Sequence, residues 1–582
     1  MTPDSLATIR HRGEAGFSLL LLLSLGCDFA LFDPSIPDIP ISPMAKRKRD
    51  DASHRKEATR KALKADVNGN GNVSSHKQDC ASEQQIRTPN AVTIQIITGS
   101  YERILHGITA TVFEPSTDDE PTQSVQFVDN FLFQAHASAI KCLALGPLPE
   151  QNHQQSDGPQ KVMLASGGTD ERVNLYTLSA SSPPASDSTK FPTIPTLAGN
   201  KILENPRNRE LGSLLHHSSA ITALYFPSRS KLLSAAEDNT IAVTRTRDWS
   251  VVSTIKVPRP KVQGRPSGDT APPGGAPAGV NDFAVHPSMK LMLTVGRGEK
   301  CMRLWNLVTG RKAGVLNFDR RILESVLEGK YSSGEGRRIS WDSEGEEFAV
   351  AFERGAAVFG IDSVPTQVLL PSPRTKLHQL KYIDMDMVGG NKRELLAVST
   401  EDGRILFYST KSRPQSQSTA GSNKDDTKSP IPEAQLIAQL GGKDHGQSSR
   451  IKDFEVLPIK AQGWNNNKTF LIVTAGSDGA VKLWMLNEAE FPAAVGDRFP
   501  GQKKGRSDSK ELKSGIPSAS ASTAVAQVGR LLGTYESSNR ITCMKAFVML
   551  VPPTGELDDS DFSGSNEDED EDEDSSGSDG ED

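Results

Sequence analysis

Five hairpin-like stretches in one register, a mildly basic body set against an acidic tail, and cysteines too scattered to staple a framework together predict an all-β chain. The architecture they imply is a seven-bladed propeller closed by strands from both chain ends, with a disordered N-terminal arm and an acidic C-terminal tail. The register is carried by residues 164–176, 233–244, 291–310, 396–408 and 473–484. Each reads as a short apolar strand, a tight polar turn and a second strand, the alternation expected of half-buried sheet. In three of them a hydroxyl, a turn aspartate and a residue ten positions after the hydroxyl share one spacing: Ser166/Asp170/Tyr176, Ser234/Asp238/Thr244 and Thr474/Asp478/Trp484. One hairpin would mean little, but five in register mark a repeat protein.

The clearest stretch is 291–310. It ends its second strand in Leu304, Trp305 and Asn306 and turns at Thr309 and Gly310, the inner hairpin of a WD-repeat blade. In chain order, residues 1–43 hold an apolar run from Phe17 to Cys27. Its apolar core is too short for a span, which takes ~20 residues, and has the length of a secretory signal core. Met44 then begins Met-Ala-Lys-Arg-Lys-Arg, and Lys46, Arg47, Lys48 and Arg49 form a nuclear-import candidate. The expectation is that 1–43 is a start-site extension and Met44 the working initiator. Residues 44–90 are polar, with Asn-Gly repeats, and read as a disordered basic arm.

Order is expected from residue 91, where three strands appear (91–102, 107–113 and 125–133) with no opening strand of their own. Opening strands start at Ala139, Ala220, Val280, Arg338, Leu377, Arg450 and Arg540, which makes seven. The last has no hairpin after it, so the first three strands complete its blade and remove the exposed edges of an open array. Residues 91–550 are longer than seven blades of ~40–45 residues need. The surplus falls in insertions at 179–208, 258–278, 410–433 and 486–526, rich in Ser, Pro, Gly, Lys or Asn.

Residues 551–582 are an acidic tail in which Ser565, Ser576 and Ser578 each have an acidic residue three positions on, the pattern of acid-directed phosphorylation. Residues 556–582 hold 15 acidic and no basic residues, so removing them from a formal −7 leaves residues 1–555 at +8. That asymmetry suits traffic with nucleic acid or basic proteins. Five cysteines without a Cys-x-x-Cys argue against a disulfide framework or a zinc site.

Candidate catalytic groups reduce to structure. His136, His217 and His445 precede opening strands, and with Ser166, Ser234 or Thr474 and Asp170, Asp238 or Asp478 they could be drawn as nucleophile–base sets. Their repetition at one register instead assigns them, with Trp305 and Trp484, to hydrogen-bond networks beneath the blade turns. Gly296 and Gly298 are turn residues, because no full phosphate-binding motif surrounds them. No catalytic residue, cofactor or metal site is read, and no membrane partner. Lys503, Lys504 and Arg506 form a second basic patch suited to RNA phosphates. Arg297, Lys300, Arg320 and Arg321 are candidate exposed anchors.

Four stretches carry a more specific likeness: Ile-Thr-Gly-Ser-Tyr-Glu-Arg-Ile-Leu-His-Gly at 97–107, Leu-Ser-Ala-Ala-Glu-Asp at 233–238, Met-Arg-Leu-Trp-Asn-Leu-Val-Thr-Gly-Arg at 302–311, and Leu-Gly-Thr-Tyr-Glu at 532–536 running into Arg540-Ile-Thr-Cys543. They resemble the maintenance-of-killer / p21-activated-kinase-interacting protein family of WD-repeat factors. The resemblance covers about residues 91–550. It implies a non-catalytic scaffold in the nucleus and nucleolus that supports large (60S) ribosomal subunit assembly and rRNA maturation. Implied partners are pre-ribosomal assembly factors and large-subunit ribosomal proteins, with any rRNA contact indirect. The alternative it implies is a negative regulator that binds a p21-activated kinase.

Overall fold

The computed structural model describes residues 91–550 except 114–123, 149–159, 182–192, 196–200, 204, 261–278, 330–331, 387–391, 412–429, 460–468 and 493–524. The leader, Lys46–Arg49, the Lys503–Arg506 patch and the serines of the tail lie outside the described residues.

Seven antiparallel sheets, each built on four strands, follow one another around a ring. Blade 1 runs Ile140–Leu145, Lys161–Gly168, Val173–Ser179, Arg209–Leu214; blade 2, Ile221–Ser228, Lys231–Ala236, Thr240–Arg245, Val251–Lys256; blade 3, Val280–Val285, Leu291–Gly296, Cys301–Asn306, Arg311–Asn317. Blade 4 runs Arg338–Trp341, Glu347–Ala351, Ala356–Gly360, Pro365–Leu369; blade 5, Leu377–Asp386, Lys392–Thr400, Arg404–Ser409, Gln435–Gly441; blade 6, Ile451–Ile459, Thr469–Gly476, Ala480–Asn487, Arg530–Glu536. In blade 7, Ile541–Val548 pairs antiparallel with Ala91–Ser100, which leads on to Ile104–Phe113 and Val125–Gln134. The seven inner strands thus begin within one residue of the expected starts, and the two chain ends close the ring in one sheet.

The second strand of each blade is nearly all buried, as in Thr469–Gly476, because it is packed on both faces between neighbouring blades. The core is accordingly a chain of clusters between blades. Ile94, Ile96 and Ile108 of blade 7 pack with Leu471, Val473 and Leu483 of blade 6. Ile405 and Phe407 of blade 5 pack with Ile472 and Trp484 of blade 6.

The described ends of three insertions share a geometry that the sequence did not suggest. Each leaves the connection between the third and fourth strands of its blade and pairs with the outer strand of the preceding blade. Ile202, from blade 1, pairs in parallel with Asp129 of blade 7. Ala526–Gln527, from blade 6, pairs with Ala438 and Gln439 of blade 5. Around Glu433, blade 5 bridges Val368 of blade 4. Covering an outer strand blunts an edge that would otherwise template pairing with another chain.

One α-helix occurs among the described residues, Arg320–Ser325, with the Asp319 carboxylate accepting from the Ile322 amide at its N-terminus. It carries the expected anchors Arg320 and Arg321, both exposed, in place of a loop.

Candidate functional site

Two places gather polar side chains: the turns joining the second and third strands, and the central channel. At the turns of blades 1 and 2 the histidine, serine and aspartate meet. His136 Nε2 lies 2.8 Å from Ser166 Oγ and its Nδ1 3.0 Å from Asp170. His217 repeats this with Ser234 at 2.8 Å and Asp238 at 3.2 Å. The arrangement copies a Ser-His-Asp relay, yet both serines are fully buried beneath their turns, where no substrate reaches them. The aspartates instead accept backbone N–H groups, from Ala137 and Ser218, and so bind the approaching chain to the turn. Burial raises the Asp238 carboxyl, but hydrogen bonds from His217, Thr240 and two amides outweigh it and hold the group well below the usual carboxylate range.

Blades 3 and 6 satisfy the same buried hydroxyl differently. Trp305 Nε1 donates to Thr294 Oγ1 at 3.0 Å, and Trp484 Nε1 to Thr474 Oγ1 at 3.2 Å. A histidine serves where the later position holds Tyr176 or Thr244; an indole serves where that position is tryptophan. His445, expected to open blade 6 as His136 opens blade 1, sits exposed in a 3-10 turn. Buried Gln447 takes the place beside that turn and donates to Ser449. Asp478 accepts from the Ala480 amide within its own turn. In blade 3 the turn places buried Glu299 against Arg303 in a two-pronged pair.

The channel runs between the seven inner strands and encloses a cavity of about 420 Å³. Because a strand alternates faces, every second inner-strand residue points into it. The layer nearest the strand starts includes Asp282, Arg338, Gln379 and Asp453; the next includes Tyr225, Ser340, Lys381 and Lys545. Asp282 accepts from the Phe283 amide (3.0 Å) and, one blade on, from the Ile339 amide (3.2 Å). Asp453 does the same with Phe454 (2.9 Å) and Met544 (3.0 Å), so each carboxylate staples two inner strands. In the deeper layer Glu455 of blade 6 holds Lys381 of blade 5 at 2.6 Å and Lys545 of blade 7 at 2.7 Å. Burial raises the Glu455 carboxyl, but the two ammonium groups overcome that and lower it. No group of His, Cys, Asp or Glu among the described residues could hold a metal ion.

The channel mouth at the strand starts, here called upper, is uneven. The residues just before the inner strands are Ala139, Ala220 and Gly279 in blades 1 to 3, but Arg337, Lys376, Arg450 and Arg540 in blades 4 to 7. In six blades the turn's first residue donates its N–H to the carbonyl at this position, as Glu401 does to Lys376 (2.9 Å) and Tyr101 to Arg540 (2.9 Å). The side chains at the mouth are therefore set by a repeated backbone contact. The anchor candidate Arg297 lies at this level but is engaged, at 3.0 Å, by Glu237, which also holds Lys141 at 2.9 Å. Lys300 is exposed on the same turn. These charges were missed from sequence because they come from distant strands; their shared distance from each strand start was the available signal.

Comparison with known proteins agrees with this architecture. The family model described as WD domain, G-beta repeat matches residues 208–243, the outer strand of blade 1 with most of blade 2. The chain is similar to Protein MAK11 of Saccharomyces cerevisiae, 26% identical over 415 residues that cover 68% of this chain and 78% of that protein. It is similar to the p21-activated protein kinase-interacting protein 1-like of Danio rerio, 24% identical over 405 residues covering 69% and 77%. It is also similar to Shk1 kinase-binding protein 15 of Schizosaccharomyces pombe, 24% identical over 318 residues covering 54% and 69%. The chain is a distant homologue of these proteins and, like the fold, the likeness points to a WD-repeat scaffold.

Proposed function

We propose that this chain is a non-catalytic platform that holds assembly factors and large-subunit ribosomal proteins together on precursors of the large ribosomal subunit, in the nucleus and nucleolus, and so supports rRNA maturation. The observation that carries the reading is the likeness to Protein MAK11 across most of the propeller, added to the family motifs at 97–107, 302–311 and 532–543. The charge layout supports it: a basic body and an acidic tail suit the basic proteins and RNA of a ribosome precursor. A propeller offers such partners rigid rims and faces, and a few anchors within them dominate affinity.

A second reading has its own support. One relative named for interaction with a p21-activated kinase and another named for binding a kinase favour a chain that binds and restrains a p21-activated kinase. Affinity capture of a C-terminally tagged copy separates the two. Large-subunit precursor proteins and precursor rRNA in the eluate support the platform; a p21-activated kinase recovered without them supports the regulator. The nuclear assignment rests on Lys46, Arg47, Lys48 and Arg49, and replacing all four with alanine should move a fluorescent fusion out of the nucleus.

A further inference from the structure

We propose that the upper mouth of the channel, on blades 4 to 7, is a binding site for single-stranded RNA. The proposal deepens the platform reading by naming a direct ligand, and takes from it only the identity of the nucleic acid.

The first ground is a run of closely spaced cations in which three have carboxylate partners and two, among the described residues, do not. Arg338 meets Asp282 only at 3.8 Å, Lys376 is held by Glu353 at 3.0 Å, and Arg450 reaches Glu401 at 3.5 Å. Lys452 and Arg540 have no ion-pair partner among the described residues. Lys452 sits where burial and the charges of Arg450, Arg540 and Arg338 all press its ammonium group downward. His378 feels the same field: burial first, then Lys452, Arg450, Arg338 and Lys376, push it down to about 4, and its Nε2 is buried without a hydrogen-bond partner in the described structure. Mutual repulsion of this kind costs stability unless an anion relieves it.

The second ground is geometric. The cations lie within one residue of the starts of four adjacent inner strands, so they form an arc and not a point. An arc of separated cations tracks a phosphodiester backbone. Tyr101, 60% exposed on the neighbouring turn of blade 7, lies under the Arg540 guanidinium, 5.6 Å from its ring centroid. An exposed ring beside backbone-binding cations is a stacking platform for a base. A run of carboxylates would use the cations but not the ring, and this favours RNA over an acidic peptide.

The test is fluorescence anisotropy of the purified full chain with a short labelled oligouridylate. For about four phosphate contacts, log K should fall against log salt with a slope near −3. Replacing two of the cations, R450Q/K452Q, should weaken binding at least tenfold and reduce that slope by about 1.4. Y101A should weaken binding roughly tenfold while leaving the slope unchanged, because stacking carries no charge. R311Q/K312Q, on the outer strand of blade 3, should leave binding unchanged, and unaltered melting of each variant certifies its fold. The proposal is overturned if the oligonucleotide does not bind at low salt, or if R450Q/K452Q and Y101A bind as the parent does. Binding carried by Lys503, Lys504 and Arg506 would appear in that second way. It is also overturned if a poly-glutamate peptide binds with the same sensitivity to R450Q/K452Q and RNA does not. A chain that ignores RNA in vitro yet co-sediments with subunit precursors sinks this inference and leaves the platform reading standing.

Discussion

Glu455 is the point at which the ring can be loosened by one atom. Its carboxylate joins three consecutive blades, holding Lys381 at 2.6 Å and Lys545 at 2.7 Å, and all three side chains are less than a third exposed. Glu455→Gln keeps the shape and removes the charge, so two ammonium groups face each other across the channel with only Asp453 nearby to offset them. Breaking a buried pair by removing one partner costs about 3–5 kcal/mol. For about 340 described residues, with an unfolding entropy near 2.1 cal/mol/K each, about 4 kcal/mol lowers the melting temperature by ~6 °C. The assay is thermal unfolding followed by circular dichroism, with Glu455→Gln, Lys545→Met and the double variant compared. The double variant should recover a large part of the loss, since it removes one of the repelling charges. The pH dependence has a definite sign. The Glu455 carboxyl is lowered in the folded state, so its contribution is complete above 4.5 and is lost as pH falls through its folded value. Lys545 is raised, so its contribution is complete below 10.5 and fades only as pH rises beyond that. A Glu455→Gln variant that melts with the parent near neutral pH would show that the triad does not hold the blades.

Other consequences are smaller. Ser166→Ala and Ser234→Ala each leave the Nε2 of a buried imidazole without its partner and should cost about 1–3 kcal/mol in denaturant unfolding. Trp484→Phe removes the indole donor to Thr474 and should cost at least as much by the same measurement. Asp129 joins blades 6 and 7, accepting from Tyr535 at 2.5 Å and pairing with His106 at 2.9 Å. Burial raises its carboxyl, but those two hydrogen bonds outweigh it and lower the group, so the stability gap between the parent and Asp129→Asn should close as pH falls below 3.8 in melts across the acid range.

The blade pattern was legible because it is local. An apolar strand, a polar turn and a second strand fit within a dozen residues, and each inner-strand start fell within one residue of its expected place. Ring closure was legible too, since three strands without an opener and an opener without a hairpin leave one solution. The charged channel was not legible, because Lys381, Glu455 and Lys545 are far apart in sequence and meet only when the inner strands converge. His445 misled because a histidine ahead of an inner strand looks alike whether it caps the turn or sits in solvent; Trp484 already satisfies Thr474, so blade 6 has no place for it. The pairing of insertions with the preceding blade was also hidden, because Ile202 and Ala526 lie in segments whose composition reads as loop.

The most direct test of the platform is sedimentation of a cell lysate through a sucrose gradient, following a C-terminally tagged copy. Co-migration with precursors of the large subunit, lost as salt is raised, is the predicted result, because docking through a basic body is electrostatic. A pool that stays near the top of the gradient at every salt concentration, free or with a kinase, would contradict it.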